Sequence, residues 1–143
     1  MFSNPVPQFR VLCIAQDPMD RIVMQDYAWI LDWDLSVCGD LDHCMDLAAA
    51  ERFDLIISDL QRGPPCGIDL VKAVRLDCTA NAEIPALLLT EADFPERAVR
   101  YTRDMGGAVL WEKPLLLSDL KAVAGRLTGT HFGHYGSAGR RLL

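Results

Sequence analysis

Short apolar runs alternate along this chain with longer stretches in which apolar residues recur at helical spacing. Residues 9–15 (FRVLCIA) have few polar breaks, the pattern of a strand buried on both faces of a parallel sheet. The run stops at Gln16-Asp17-Pro18, where Asp17 suits a helix N-cap and Pro18 a first helical position. Met19, Ile22, Val23, Tyr27, Ile30 and Leu31 then recur at helical spacing, predicting an amphipathic helix over 18–31 with that set as its apolar face. Residues 35–38 are a short second strand, and 41–51 a helix with Leu41, Cys44, Met45, Leu47 and Ala48 on one side. Residues 55–58 (LIIS) are the strongest strand signal and end at Asp59.

The second half repeats the alternation. The segment 61–67 (QRGPPCG) holds two glycines and two prolines, which exclude regular structure. A helix follows over 68–76, with Ile68, Leu70, Val71 and Val74 apolar, and then a fourth strand over 86–89 ending at Thr90. Pro95 opens a charged helix that runs to Met105 and is closed by Gly106-Gly107. Residues 108–111 are the fifth strand, leading into Glu112-Lys113-Pro114, and Ser118 is placed to cap a last helix that ends at Leu127. Strands alternating with single helices imply an α/β fold with a doubly wound, five-stranded parallel sheet. Right-handed crossovers favour the flavodoxin-like order 2-1-3-4-5. Residues 1–8 read as an N-terminal extension, 9–127 as one domain and the Gly-rich 128–143 as a flexible tail.

Composition narrows the class. At 143 residues and 50% hydrophobic content, the chain is long enough to bury its own core. No apolar run approaches the roughly 20 residues a membrane helix needs. The first residues also lack a signal-peptide layout, so the expectation is a cytoplasmic protein with no membrane role. Five cysteines without a C-x-x-C pair fit free thiols better than disulfides or zinc. The net charge is −6, from 14 bases and 20 acids; two of the bases, Arg140 and Arg141, lie in the tail. The body is thus more acidic than the whole, which argues against nucleic-acid binding by this domain.

In sheets of this order, ligands bind beyond the carboxyl ends of the strands, near the switch point between strands 1 and 3. Gln16, Asp17, Asp59, Thr90 and Lys113 all fall at such ends. Four segments, VLCIAQDP, DLIISDLQRGPPCGIDLV, IPALLLT and GGAVLWEKP, stand in an order and spacing similar to the response-regulator receiver domain, with Gly67 eight residues after Asp59. The resemblance, to the CheY-like superfamily, covers roughly residues 9–127.

That resemblance implies a single-domain receiver in a two-component phosphorelay. Asp59 would be the phosphoryl acceptor, Thr90 and Lys113 would contact phosphoryl oxygens, and the Lys113-Pro114 peptide would be cis. Magnesium would be held by Asp59, by the carbonyl of Gln61 and by an acidic pair after the first strand. Here Ala15 and Gln16 occupy the pair's positions and Asp17 falls one place later, so magnesium is expected to bind weakly. Glu91, after Thr90, takes the place of a small residue and stands as a steric or charge gate, or as a substitute carboxylate. Leu110 occupies the position of the family's switch aromatic, while adjacent Trp111 points to the opposite face.

Implied partners are a histidine kinase or phosphotransfer protein and a downstream protein, with the fourth and fifth helices offering a surface for a homodimer. Two models stay open: a phosphorylated receiver, and a pseudo-receiver that docks partners without phosphorylation. An aspartyl-phosphate hydrolase of the dehalogenase type would want a second aspartate where Gln61 stands. A flavodoxin would need a Ser/Thr-rich phosphate loop in place of Gln16-Asp17-Pro18. Independent enzymatic turnover is therefore not expected.

Overall fold

Residues 8–60, 67–91 and 96–132 are described by a computed structural model. The strands are β1 (Arg10–Ile14), β2 (Asp34–Cys38), β3 (Leu55–Asp59), β4 (Ala86–Thr90) and β5 (Ala108–Glu112). The helices are α1 (Pro18–Leu31), α2 (Leu41–Ala50), α3 (Gly67–Asp77), α4 (Glu96–Met105) and α5 (Leu117–Thr128). All neighbouring strands pair in parallel, in the order β2-β1-β3-β4-β5, as expected from the sequence.

Alternate side chains of each strand enter two separate cores, because successive residues of a strand point to opposite faces. Val11, Cys13, Leu55, Ile57, Leu87 and Leu89 pack with α1 and α5. Leu12, Ile56, Ala86 and Leu88 pack with α2, α3 and α4. Burial on both faces leaves the apolar strands no polar side, which is why their sequences run apolar without alternation. Leu110 joins the second core and Trp111 the first, on opposite faces of β5 as expected.

The helix boundaries follow local chemistry. Asp17 caps α1 by accepting from the Met19 N–H at 2.9 Å, with Pro18 next in line. Asp40 does the same for α2 by accepting from His43 N–H at 2.8 Å. Gly106 and Gly107 end α4 with φ of +74° and +58°, conformations in which a Cβ would be strained.

Three expectations are corrected. The buried face of α1 is Met24, Ala28 and Leu31, whereas Met19, Ile22, Val23 and Ile30 are exposed. Helical spacing fixes a stripe's period but not which of two apolar stripes meets the sheet; here the stripe that continues into Trp33 does. Ser118 does not cap α5, which starts one residue earlier. Its first N–H groups are served instead by Asp119, whose carboxylate accepts from the Leu116 N–H at 3.1 Å. Finally, the folded body continues past Leu127. Phe132 is buried and meets the rings of Phe9 and Trp33 at centroid distances of 4.9 and 5.3 Å. Pro95, expected to open α4, lies outside the described residues, as do 1–7 and 133–143.

A short 3-10 turn, Thr79–Asn81, was not expected. Its Asn81 is buried and ties three segments together. The amide donates to the carbonyls of Ala48 and Glu51 and the side-chain oxygen accepts from the Phe53 N–H.

Candidate functional site

The carboxyl ends of β1, β3, β4 and β5 open onto one edge of the sheet, and four charged side chains meet there. Asp59 ends β3 and is only 13% exposed. Lys113 follows β5, and its Nζ lies 2.9 Å from Asp59 Oδ1. The same ammonium is 2.9 Å from Asp20 Oδ2 and 3.3 Å from Glu91 Oε2. One ammonium therefore serves three carboxylates. The Lys113-Pro114 peptide is cis, as the resemblance implied, and the Lys113 N–H donates to the Thr90 carbonyl at 2.8 Å.

This crowding sets the protonation of the pair. Burial pushes the Asp59 carboxyl above its ordinary value; the Lys113 bond opposes the rise, and the charges of Asp20 and Glu91 add to it. Burial pulls the Lys113 ammonium down, but its bonds to Asp20 and Asp59 outweigh that and hold it above its ordinary value.

The other expected residues are placed as follows. Thr90 is buried at the end of β4, with its hydroxyl donating to the Glu91 carbonyl at 3.1 Å. Glu91 is mostly exposed, and its carboxylate pairs with the Lys113 ammonium at 3.3 Å. Asp17 is committed to capping α1 and does not join the cluster. Ala15 is buried and Gln16 exposed. Their carbonyls both accept from the Arg21 guanidinium at 2.7 Å. Gln61 lies outside the described residues.

Asp20 is the site residue that reading the sequence missed. It sits in the first turn of α1, one turn before Met24 and two before Tyr27, whose hydroxyl donates to the Leu115 carbonyl at 2.9 Å. The inward face of α1 thus begins with an acid and docks the helix on the segment carrying Lys113. A signal was present: counting back four residues from Met24 along the Met24–Ala28–Leu31 stripe lands on Asp20.

These donors do not fit a magnesium site of the kind the resemblance implied. Magnesium asks for near-octahedral oxygen ligands. Here Asp17 points to an N–H, the carbonyls of Ala15 and Gln16 are occupied by Arg21, and an ammonium sits between Asp20 and Asp59. Among the described residues, no group of three or more His, Cys, Asp or Glu side chains is arranged to hold a metal ion.

No protein-family model matches the chain. The transcriptional activator protein PfeR of Pseudomonas aeruginosa is 27% identical over 117 residues, covering 82% of this chain but 37% of PfeR. Chemotaxis protein CheY4 of Vibrio cholerae superposes with a TM-score of 0.74 at 23% identity, over 85% of this chain and 99% of CheY4. The receiver domain of a Pseudomonas aeruginosa sensor histidine kinase, solved with magnesium in its active-site cleft, gives 0.71 at 17% identity over 87% and 100% of the two chains. The chain thus has the fold of CheY-like receiver domains. The chain spans little more than a third of the length of PfeR, a curated relative it matches. Among the described residues, no helix is long and apolar enough to cross a membrane.

Proposed function

We propose that the chain is a phosphorelay receiver, with Asp59 accepting a phosphoryl group from a histidine kinase or phosphotransfer protein. The observation that carries this reading is the 2.9 Å pair between Lys113 and a largely buried Asp59 at the carboxyl edge of a receiver-type sheet. Phosphoryl transfer needs chiefly positioning and charge neutralisation. A carboxylate oxygen of Asp59 attacks phosphorus, forming the acyl phosphate O–P bond. The P–N bond to the donor imidazole breaks, its electron pair staying on nitrogen, which takes a proton from water. Lys113 neutralises charge on the phosphoryl oxygens, and Thr90 turns its hydroxyl from the Glu91 carbonyl towards them.

The output passes to a protein partner, through α4, β5 and α5 or through a homodimer formed there. The acidic composition argues for protein rather than nucleic-acid partners. A cytoplasmic location fits such partners.

A second reading, the docking pseudo-receiver, is favoured by one observation: Asp20 and Glu91 share the ammonium and would repel an incoming phosphoryl anion. Intact mass measured after incubation with acetyl phosphate and magnesium separates the two. One added phosphoryl group in the wild type, lost in Asp59→Ala, supports the acceptor. No adduct in either leaves the docking module.

A further inference from the structure

Around Asp59, among the described residues, oxygens from which a divalent ion would draw its ligands are paired with the protein's own cations. Arg21 spans the two carbonyls after β1, with 2.7 Å bonds to Ala15 and Gln16. Lys113 lies at 2.9 Å from both Asp20 and Asp59, so two oxygens that could ligate an ion face an ammonium instead. Glu91, the other acid of the cluster among the described residues, also pairs with Lys113. An ion entering here must displace the ammonium from carboxylates that hold it by charge-assisted hydrogen bonds, and would meet its positive charge at contact distance.

We propose that Lys113, anchored on Asp20, is the built-in counter-cation of Asp59 and keeps a divalent ion out of the pocket. Asp20 is then a positioning residue. It acts through Lys113 by holding the ammonium beside Asp59, and it ties α1 to the segment after β5. The proposal takes Asp59 as the centre of the pocket from the reading above, but it does not require that Asp59 be phosphorylated.

The test is a titration of the full chain with Mg2+, followed by amide chemical shifts, and with Mn2+, followed by paramagnetic broadening. Wild type is expected to show no saturation at residues 15–20 and 59 up to about 20 mM Mg2+, well above the range of a built carboxylate site. Lys113→Met, checked for folding by circular dichroism, is expected to gain saturable binding at least about ten-fold tighter, because three carboxylates are left facing one another. Adding Asp20→Asn to that variant is expected to lower the gain several-fold.

Saturable binding by wild type below about 1 mM would overturn the proposal, whatever the variants do. So would a folded Lys113→Met that gains nothing, or a gain that Asp20→Asn leaves untouched. The acceptor reading fails separately, by the absence of an adduct at Asp59 in a protein whose ion-binding behaviour is as expected here.

Discussion

The Nζ of Lys113 lies as close to Asp20, in the first turn of α1, as to Asp59 at the end of β3, 2.9 Å in each case. The lysine therefore couples a helix that covers one face of the sheet to the strand end that carries Asp59. Its third partner, Glu91, is mostly solvated and contributes little by comparison. A change in the charge of Asp59 must redistribute the ammonium between Asp59 and Asp20, and so bears directly on how α1 is held.

Asp59→Asn is expected to stabilise the fold at neutral pH by about 1 kcal/mol, or some 2–4 °C in melting temperature. The sign follows from the raised carboxyl. The native state binds the Asp59 proton more readily than the unfolded chain, so the contribution favours folding at acid pH and is lost as pH rises through the raised value. The advantage of the Asn variant over wild type should accordingly be larger at pH 7 than at pH 4, in urea titrations at the two pH values. An equal advantage at both would contradict the assigned direction.

Gly67→Ala should cost about 1–3 kcal/mol. The added Cβ would stand 2.8 Å from the Asp59 carbonyl oxygen, 3.1 Å from Leu88 Cδ2 and 3.2 Å from Ser58 Oγ. The backbone of β3 cannot yield without moving Asp59, so amide shifts there should change along with the unfolding midpoint. A variant as stable as wild type, with Asp59 unmoved, would contradict this close packing.

Asn81→Ala removes a buried amide that bonds three backbone groups. Two carbonyls and one N–H lose their partners, and the expected loss is about 2–4 kcal/mol. Denaturant unfolding should show a lower midpoint with unchanged slope. The site geometry should survive, because Asn81 lies at the opposite end of the sheet from Lys113.

The two apolar stripes of α1 can be told apart by substitution. Met24→Ala is expected to cost about 2–4 kcal/mol, since Met24 is buried against the sheet. Ile22→Gln should change stability by less than about 1 kcal/mol, because Ile22 is half exposed. Chemical denaturation of both variants checks the ranking, and a reversed order would mean that the helix is rotated.

Much of the site was legible before the fold was known. Asp59, Thr90 and Lys113 each follow an apolar run of strand length, and a parallel sheet gathers strand ends on one edge, so their proximity follows from alternation alone. The opposite facing of Leu110 and Trp111 was readable from strand alternation, whereas the cis Lys113-Pro114 peptide was implied only by the family resemblance. Asp20 was not, because it lies inside a helix with two candidate apolar stripes. A helix carries its period in its own residues, but its rotation depends on the surface it meets.

The same division holds for the whole molecule. By itself the sequence determined the five strands, the five helices, the sheet order and the strand ends on which a site could form, because burial patterns, caps and breakers act over a few residues. Tertiary structure alone decided which face of α1 is inward, that Asn81 and Phe132 belong to the packed body, and that Lys113 is shared by Asp20, Asp59 and Glu91. Those facts depend on contacts between residues distant in sequence. Their energies arise from burial and charge at a common point, and they exist only once the elements have been brought together.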